Sequence, residues 1–225
     1  LTEIDLARLS SISLGDGSFA NSTSFNLSNL ESLKSLEVGN ECFDSVDVFN
    51  LEGLNALKTL KIGQNSFTLS QNDFGDNKNR SFHITNCNSI KSIDIGKYSF
   101  SDYAGEFELK NLESLESIRI GTINETSNNF YSAPFELHGT ETADFILDLP
   151  KLSTFYVGDG CFHDSRAFVP SNLDSLESIE IGNECFMKTN NCTISGLNAL
   201  RSLFIGEYCF TKSKTIWDND RSRMF

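Results

Sequence analysis

The chain has 225 residues, 39% of them hydrophobic, with 19 Phe, 3 Pro and a formal net charge of −13. That is apolar enough for a folded core, and its acidity excludes general affinity for a phosphate backbone, which takes a basic stripe. No apolar run approaches the length of a membrane span, so this segment is expected neither to insert into a bilayer nor to bind nucleic acid.

From the first residues onward the chain repeats itself. Versions of a motif made of an apolar residue, a Gly, two variable positions, a small residue and a Phe recur from end to end, and the Gly falls at Gly15, Gly39, Gly63, Gly96, Gly121, Gly158, Gly182 and Gly206, at intervals of 24, 24, 33, 25, 37, 24 and 24 residues. Apolar columns lie one, three, six, nine, twelve and fourteen residues before each Gly, with another four after it. In the second unit these are Val38, Leu36, Leu33, Leu30, Leu27, Phe25 and Phe43, and in the third Ile62, Leu60, Leu57, Leu54, Leu51, Phe49 and Phe67. The seventh reads Ile181, Ile179, Leu176, Leu173, Pro170, Phe168 and Phe186.

Leu-x-Ile before the Gly and Phe-x-Leu earlier in the unit both alternate with period two, which predicts two short strands per unit, each with one face inward. Three-residue steps between them predict corners. Ten residues before the Gly stand Asp5, Asn29, Gly53, Asn86, Asn111, Asn172 or Gly196, types that accept left-handed backbone or close a turn with a side-chain bond. The recurring Gly itself is expected to make a corner. There is little room for a helix. The fold class expected is therefore a repeat solenoid over 1–210, mostly β, with parallel stacked short strands in about eight coils.

Two intervals are long. The 33-residue interval predicts a polar segment around Gln71 to Arg80 that bulges from the edge. In the 37-residue interval Phe135-x-Leu137-x-Gly139 fits the Phe column, so the extra residues are divided, some before Phe135 and the rest around Thr140 to Asp148. After Phe210 the pattern fails, and 211–225 reads as a terminal cap or a truncated next repeat of a longer array.

Spacing of the L-x-x-L-x-L type with an Asn-containing turn resembles the leucine-rich repeat superfamily. Ile-Gly-Asn-Glu-Cys-Phe (181–186) and Ile-Gly-Glu-Tyr-Cys-Phe (205–210) are similar to the I-G-x-x-A-F signature of its BspA-like, treponemal-type class, with Cys where that class has Ala. The resemblance implies surface-exposed recognition and adhesion proteins and nothing catalytic.

Outward columns divide into constant and variable. Four residues before the Gly stand Ser11, Ser35, Thr59, Ser92, Ser117, Thr154, Ser178 and Ser202, which predict a hydroxyl ladder bonded to its neighbours or to adjacent backbone. An ice-binding array would need a second matching column, and the next one does not match. Two residues before the Gly the side chains are Ser13, Glu37, Lys61, Asp94, Arg119, Tyr156, Glu180 and Phe204, and five before it Ser10, Lys34, Lys58, Lys91, Glu116, Ser153, Glu177 and Arg201. Change in charge and aromaticity against a constant core predicts a recognition face built on Glu37, Lys61, Asp94, Arg119, Tyr156, Glu180 and Phe204, with Arg119, Tyr156 and Phe204 as anchors.

Cys42, Cys161, Cys185 and Cys209 take the small position where other units have Ser18, Ser66 and Ser99, and Cys87 and Cys192 fall in core columns. All six are expected as buried fillers with free thiols, although the spacing of Cys161, Cys185 and Cys209 tolerates a disulfide. His83, His138 and His163 share no face with a nucleophile and an acid. Neither metal nor cofactor is expected, and Asp73, Asp76, Asn77 and Asn79 lack the fixed spacing of a calcium cage. Sequons begin at Asn21, Asn26, Asn79, Asn124 and Asn191. The function expected is a non-catalytic recognition or adhesion module, extracellular or at the cell surface, for a protein ligand or a glycan-bearing surface. The alternative is a cytoplasmic scaffold that binds a regulatory protein.

Overall fold

The structure, a computed structural model, describes residues 8–27, 30–135, 149–168, 170 and 173–211. The predicted insert at Thr140 to Asp148, the segment after Thr211, His138 and the turn positions Asp5, Asn29 and Asn172 lie outside these residues.

The regular elements of the described chain are nearly all parallel strands, joined by turns, and no α-helix forms among the described residues. The apolar-x-apolar pairs before the glycines become eight strands: β1 (Ser11–Leu14), β3 (Ser35–Val38), β5 (Thr59–Ile62), β7 (Ser92–Ile95), β9 (Ser117–Ile120), β10 (Thr154–Val157), β12 (Ser178–Ile181) and β14 (Ser202–Ile205). They pair in that order into one parallel sheet. The Phe-x-Leu pairs become β2 (Phe25–Leu27), β4 (Val48–Glu52), β6 (Ser81–Thr85) and β8 (Phe107–Lys110), a second parallel sheet. Continuing that column, β11 (Ala167–Phe168) pairs with β13 (Asn191–Cys192). Every pairing is in step by column, for instance Leu36 with Leu60 and Phe49 with Phe82. Strands this short close their hydrogen bonds only against copies of themselves, which is what an exact repeat supplies.

One core fills the space between the sheets, and all seven column residues of the third and the seventh units are buried. Its centre is aromatic. The Phe four after the Gly stacks on its copies from Phe43 through Phe67, Phe100 and Phe130, with centroids 5.0–5.1 Å apart. The Phe column of the second sheet stacks likewise from Phe25 through Phe49 and Phe82 to Phe107, and meets the first column edge to face. Each such pair adds about 0.5–1.5 kcal/mol beyond burial.

Core columns open at the outermost rung. On β14 Leu203 and Ile205 are 47% and 38% exposed, and Cys192 on β13 is exposed rather than buried, because no described strand packs beyond them. Phe19 in the first unit is exposed for the same reason.

The corners differ from expectation in an instructive way. Turn positions Gly53, Asn86, Asn111 and Gly196 are left-handed, with φ of 67°, 55°, 53° and 64°. The recurring Gly is not, except Gly121. Left-handed backbone falls instead on the phenylalanines: Phe19, Phe43, Phe67, Phe100, Phe130, Phe162, Phe186 and Phe210 all have φ between 49° and 59°. A bulky residue there costs about 1–2 kcal/mol, which burying the ring offsets. Gly is required for proximity. A Cβ on Gly63 would lie 2.6 Å from the carbonyl of Gly39, and one on Gly206 2.6 Å from Gly182. Through this contact Gly63 N donates to Val38 O at 2.8 Å, extending the ladder past the strand.

The inserts also depart from expectation. Residues around Gln71 to Arg80 do not simply bulge but dock on the next unit, through a bridge between Asn77 and Tyr103 and a bond from Gly105 N to Arg80 O. Arg80 ends fully buried. Its Nη1 donates to both oxygens of Asp102 at 3.0 Å and its Nε to Asp47 at 3.2 Å, with the Tyr103 ring 5.3 Å from the guanidinium. In the fifth unit Phe130 takes the ring position held four after the Gly elsewhere, so the extra residues expected before Phe135 fall before Phe130, tied by a bridge from Thr126 to Asp159. Phe135 occupies the Phe column as expected, buried between Phe107 and Phe168.

Candidate functional site

Because β-strand side chains alternate, the first and third residues of each strand in the eight-stranded sheet point away from the core. The third residue supplies the variable column, and register sets its order as Ser13, Glu37, Lys61, Asp94, Arg119, Tyr156, Glu180 and Phe204. All seven residues expected to recognise a partner lie in this row, one per strand.

They interact with one another to different degrees. Lys61 Nζ meets Glu37 Oε1 at 3.0 Å, and that bond raises the Lys61 ammonium above its ordinary value. Asp94 lies between Lys61 and Arg119. The Arg119 guanidinium stands 4.1 Å above the Tyr156 ring, and the Tyr156 hydroxyl accepts a hydrogen bond from Ile123 N at 2.7 Å. The Ile123 bond, on the fifth-unit insert, holds the ring in place. Glu180 and Phe204 complete the row, with Phe204 49% exposed. Beside this row runs a shallow groove of about 440 Å³ that includes Asp94, Arg119, Tyr156 and Glu180.

The hydroxyl column is in step, Ser11 opposite Ser35 and so on, yet no hydrogen bond joins these hydroxyls to one another or to backbone among the described residues. They point outward at the strand starts, where the backbone groups are already committed to the ladder. Those of Ser92, Ser117, Thr154 and Ser178 line the groove. Among the described residues no histidine stands beside them: His83 lies on β6 in the other sheet, between Glu108 at 3.3 Å and Ser81 at 2.9 Å, and His163 lies on the corner edge. Chemically, the row offers charge, ring faces and hydroxyls to solvent.

Three features were not foreseen. The small position after the Gly is a donor as well as a filler: Ser66 Oγ bonds Gly39 O at 2.7 Å, Cys185 Sγ bonds Gly158 O at 3.1 Å and Cys209 Sγ bonds Gly182 O at 2.9 Å. The residue after the Gly forms a second ladder, in which Asp16 Oδ1 accepts from Asn40 N at 2.8 Å and Asn40 Oδ1 from Gln64 N at 2.7 Å. Asp159, Asn183 and Glu207 repeat it. On the corner edge, Phe74, Tyr131 and His163 stack at 4.2 and 4.4 Å, and burial pushes the Tyr131 phenol up to about 12. The recurring Asp/Asn after Gly was the available signal for the second ladder, and nothing local signalled the third.

All six cysteines carry free thiols. Burial pushes the Cys161 and Cys185 thiols up, whereas hydrogen bonding from Cys185 lowers Cys209. Sequon residues Asn21, Asn26, Asn79 and Asn124 are exposed. Among the described residues no group of three or more His, Cys, Asp or Glu is placed to hold a metal ion, and no helix is long and apolar enough to cross a membrane. Compared with protein-family models, with curated proteins and with solved structures, the chain matches none.

Proposed function

We propose that this chain is a leucine-rich repeat solenoid of the BspA-like type, acting as a non-catalytic recognition or adhesion module of a cell-surface or secreted protein. Its ligand, a protein or a glycan-bearing surface, is held by the outward row Glu37, Lys61, Asp94, Arg119, Tyr156, Glu180 and Phe204, with help from the edge inserts. One observation carries the reading: eight in-register strands keep their inward residues apolar while the outward row differs in charge and shape at every rung. A constant scaffold with a varied face is how repeat proteins build extended binding surfaces. The exposed sequon residues Asn79 and Asn124 agree with an extracellular setting. The six free thiols favour the second reading, a cytoplasmic scaffold for a regulatory protein.

The test is a binding screen with the full chain, repeated with Lys61→Glu, Arg119→Glu and Tyr156→Ala and, separately, with Asn50→Lys and Asn26→Lys on the other sheet. Loss of partner binding only in the first set supports the reading. Loss only in the second set reassigns the face.

A further inference from the structure

We infer that the rung at Glu180 is a receptor for a guanidinium group, so that the partner of this face presents an arginine side chain to it. The inference rests on the strand-face reading above and adds the chemistry of the guest.

The row runs Arg119, Tyr156, Glu180, Phe204 on four adjacent strands in register. Arg119 already shows what the Tyr156 ring accepts, a guanidinium 4.1 Å from its centroid. Since that guest comes from the preceding rung, the opposite face of the ring turns toward the following rung, that of Glu180. The hydrogen bond from Ile123 N to the phenol oxygen keeps the ring from swinging away. On the far side of Glu180 stands Phe204, 49% exposed. Rungs of a parallel sheet are about 4.8 Å apart, so Tyr156 and Phe204 bracket the Glu180 rung at about 9.6 Å. A cation midway lies about 4.8 Å from either ring, inside the roughly 6 Å reach of cation–π attraction.

The carboxylate completes the slot. Glu37 is paired with Lys61, and Asp94 has a cation on either side. Glu180 makes no hydrogen bond or ion pair among the described residues and lines the groove with Thr154, Tyr156 and Ser178. It is the acid of the row whose neighbours are rings instead of cations. A planar, weakly hydrated guanidinium stacks on rings and takes a carboxylate through two parallel hydrogen bonds, which an ammonium cannot do. The net charge of −13 attracts a basic partner to the protein as a whole, and the slot at Glu180 selects where its guanidinium docks.

The experiment titrates the full 225-residue chain, followed by amide NMR, with acetyl-Gly-Arg-Gly-amide and with the same peptide carrying citrulline, which keeps the shape and removes the charge. The arginine peptide is expected to shift residues 154–156, 178–180 and 202–204, to bind about tenfold more tightly than the citrulline peptide and to weaken as salt is raised. Glu180→Gln and Phe204→Leu are each expected to weaken it about five- to tenfold, and Glu52→Gln, on β4 of the other sheet, to leave it unchanged. Equal binding of the two peptides, or equal binding by Glu180→Gln, overturns the inference. So do shifts spread over the acidic surface. If the arginine peptide fails while strand-face variants still abolish partner binding, the guest is wrong and the face stands. If it binds as described while those variants leave partner binding intact, the slot stands and the face reading fails.

Discussion

Replacing Gly63 by Ala isolates the force that set the recurring glycine. Its backbone is not left-handed, so local preference alone would favour Ala by about 0.4–1 kcal/mol through the unfolded chain. Against that, the new Cβ would lie 2.6 Å from Gly39 C and O and 2.7 Å from Asn40 N, where carbon contacts are comfortable near 3.5–4.0 Å. Those atoms are backbone and cannot rotate aside, so the rungs must part by about 1 Å. Overpacking of this kind costs about 1–3 kcal/mol. The parting also strains the bonds from Gly63 N to Val38 O and from Gln64 N to Asn40 Oδ1, at about 1 kcal/mol each. The net expectation is a loss of about 3 kcal/mol. Gly15→Ala is the control, because it sits in the same column with nothing within 4 Å, and should be neutral or slightly stabilising. Urea unfolding followed by far-UV circular dichroism compares the two. Equal losses would refute the proximity account and return the glycine to a local corner role.

Other consequences follow from buried polar groups and thiols. Asp102→Ala should cost about 3–5 kcal/mol by removing the buried carboxylate from Arg80 Nη1 and leaving the buried guanidinium only the exposed Asp47 as an ion partner, and adding Arg80→Met should recover part of it; calorimetric melts that show no recovery would contradict this. Cys185→Ser should stay within about 1 kcal/mol of the parent, whereas Cys185→Val should lose about 1–3 kcal/mol because the Gly158 carbonyl forfeits its donor. Thermal midpoints that fall equally would mean that only volume matters there. Because Cys185 lowers the Cys209 thiol, the Cys209 thiolate persists to lower pH, whereas burial raises Cys192. Iodoacetamide labelling read by mass spectrometry should therefore rise with pH first at Cys209, and Cys185→Ala should move that rise upward.

Much of this architecture can be read from single residues, and the exceptions have a common cause. Strand pairs, apolar columns and the left-handed Asn or Gly turns are local statements about period and backbone preference, and Gly53, Asn86 and Phe135 behave accordingly. Gly63, Phe67 and Arg80 do not, because what decides them lies one rung away: a carbonyl, a stacked ring, a carboxylate. The same limit applies to the outward row. Sequence places Tyr156 and Glu180 outside, but only register makes Arg119 and Phe204 their neighbours. The silent hydroxyl column errs in the opposite direction, since in-step hydroxyls need not bond when water serves each of them.

The in-step pairing of the eight-stranded sheet has a mechanical side. Its hydrogen bonds all run from strand to strand, along the direction in which the units follow one another. Tension applied between the two outer strands in that direction loads the seams in series, each carrying the whole pull on only its own few bonds, so the weakest seam opens first and the others follow one by one. Tension along the strands would shear many bonds together. A tether anchored through this chain would thus yield in small steps under one direction of pull and hold until a single break under the other.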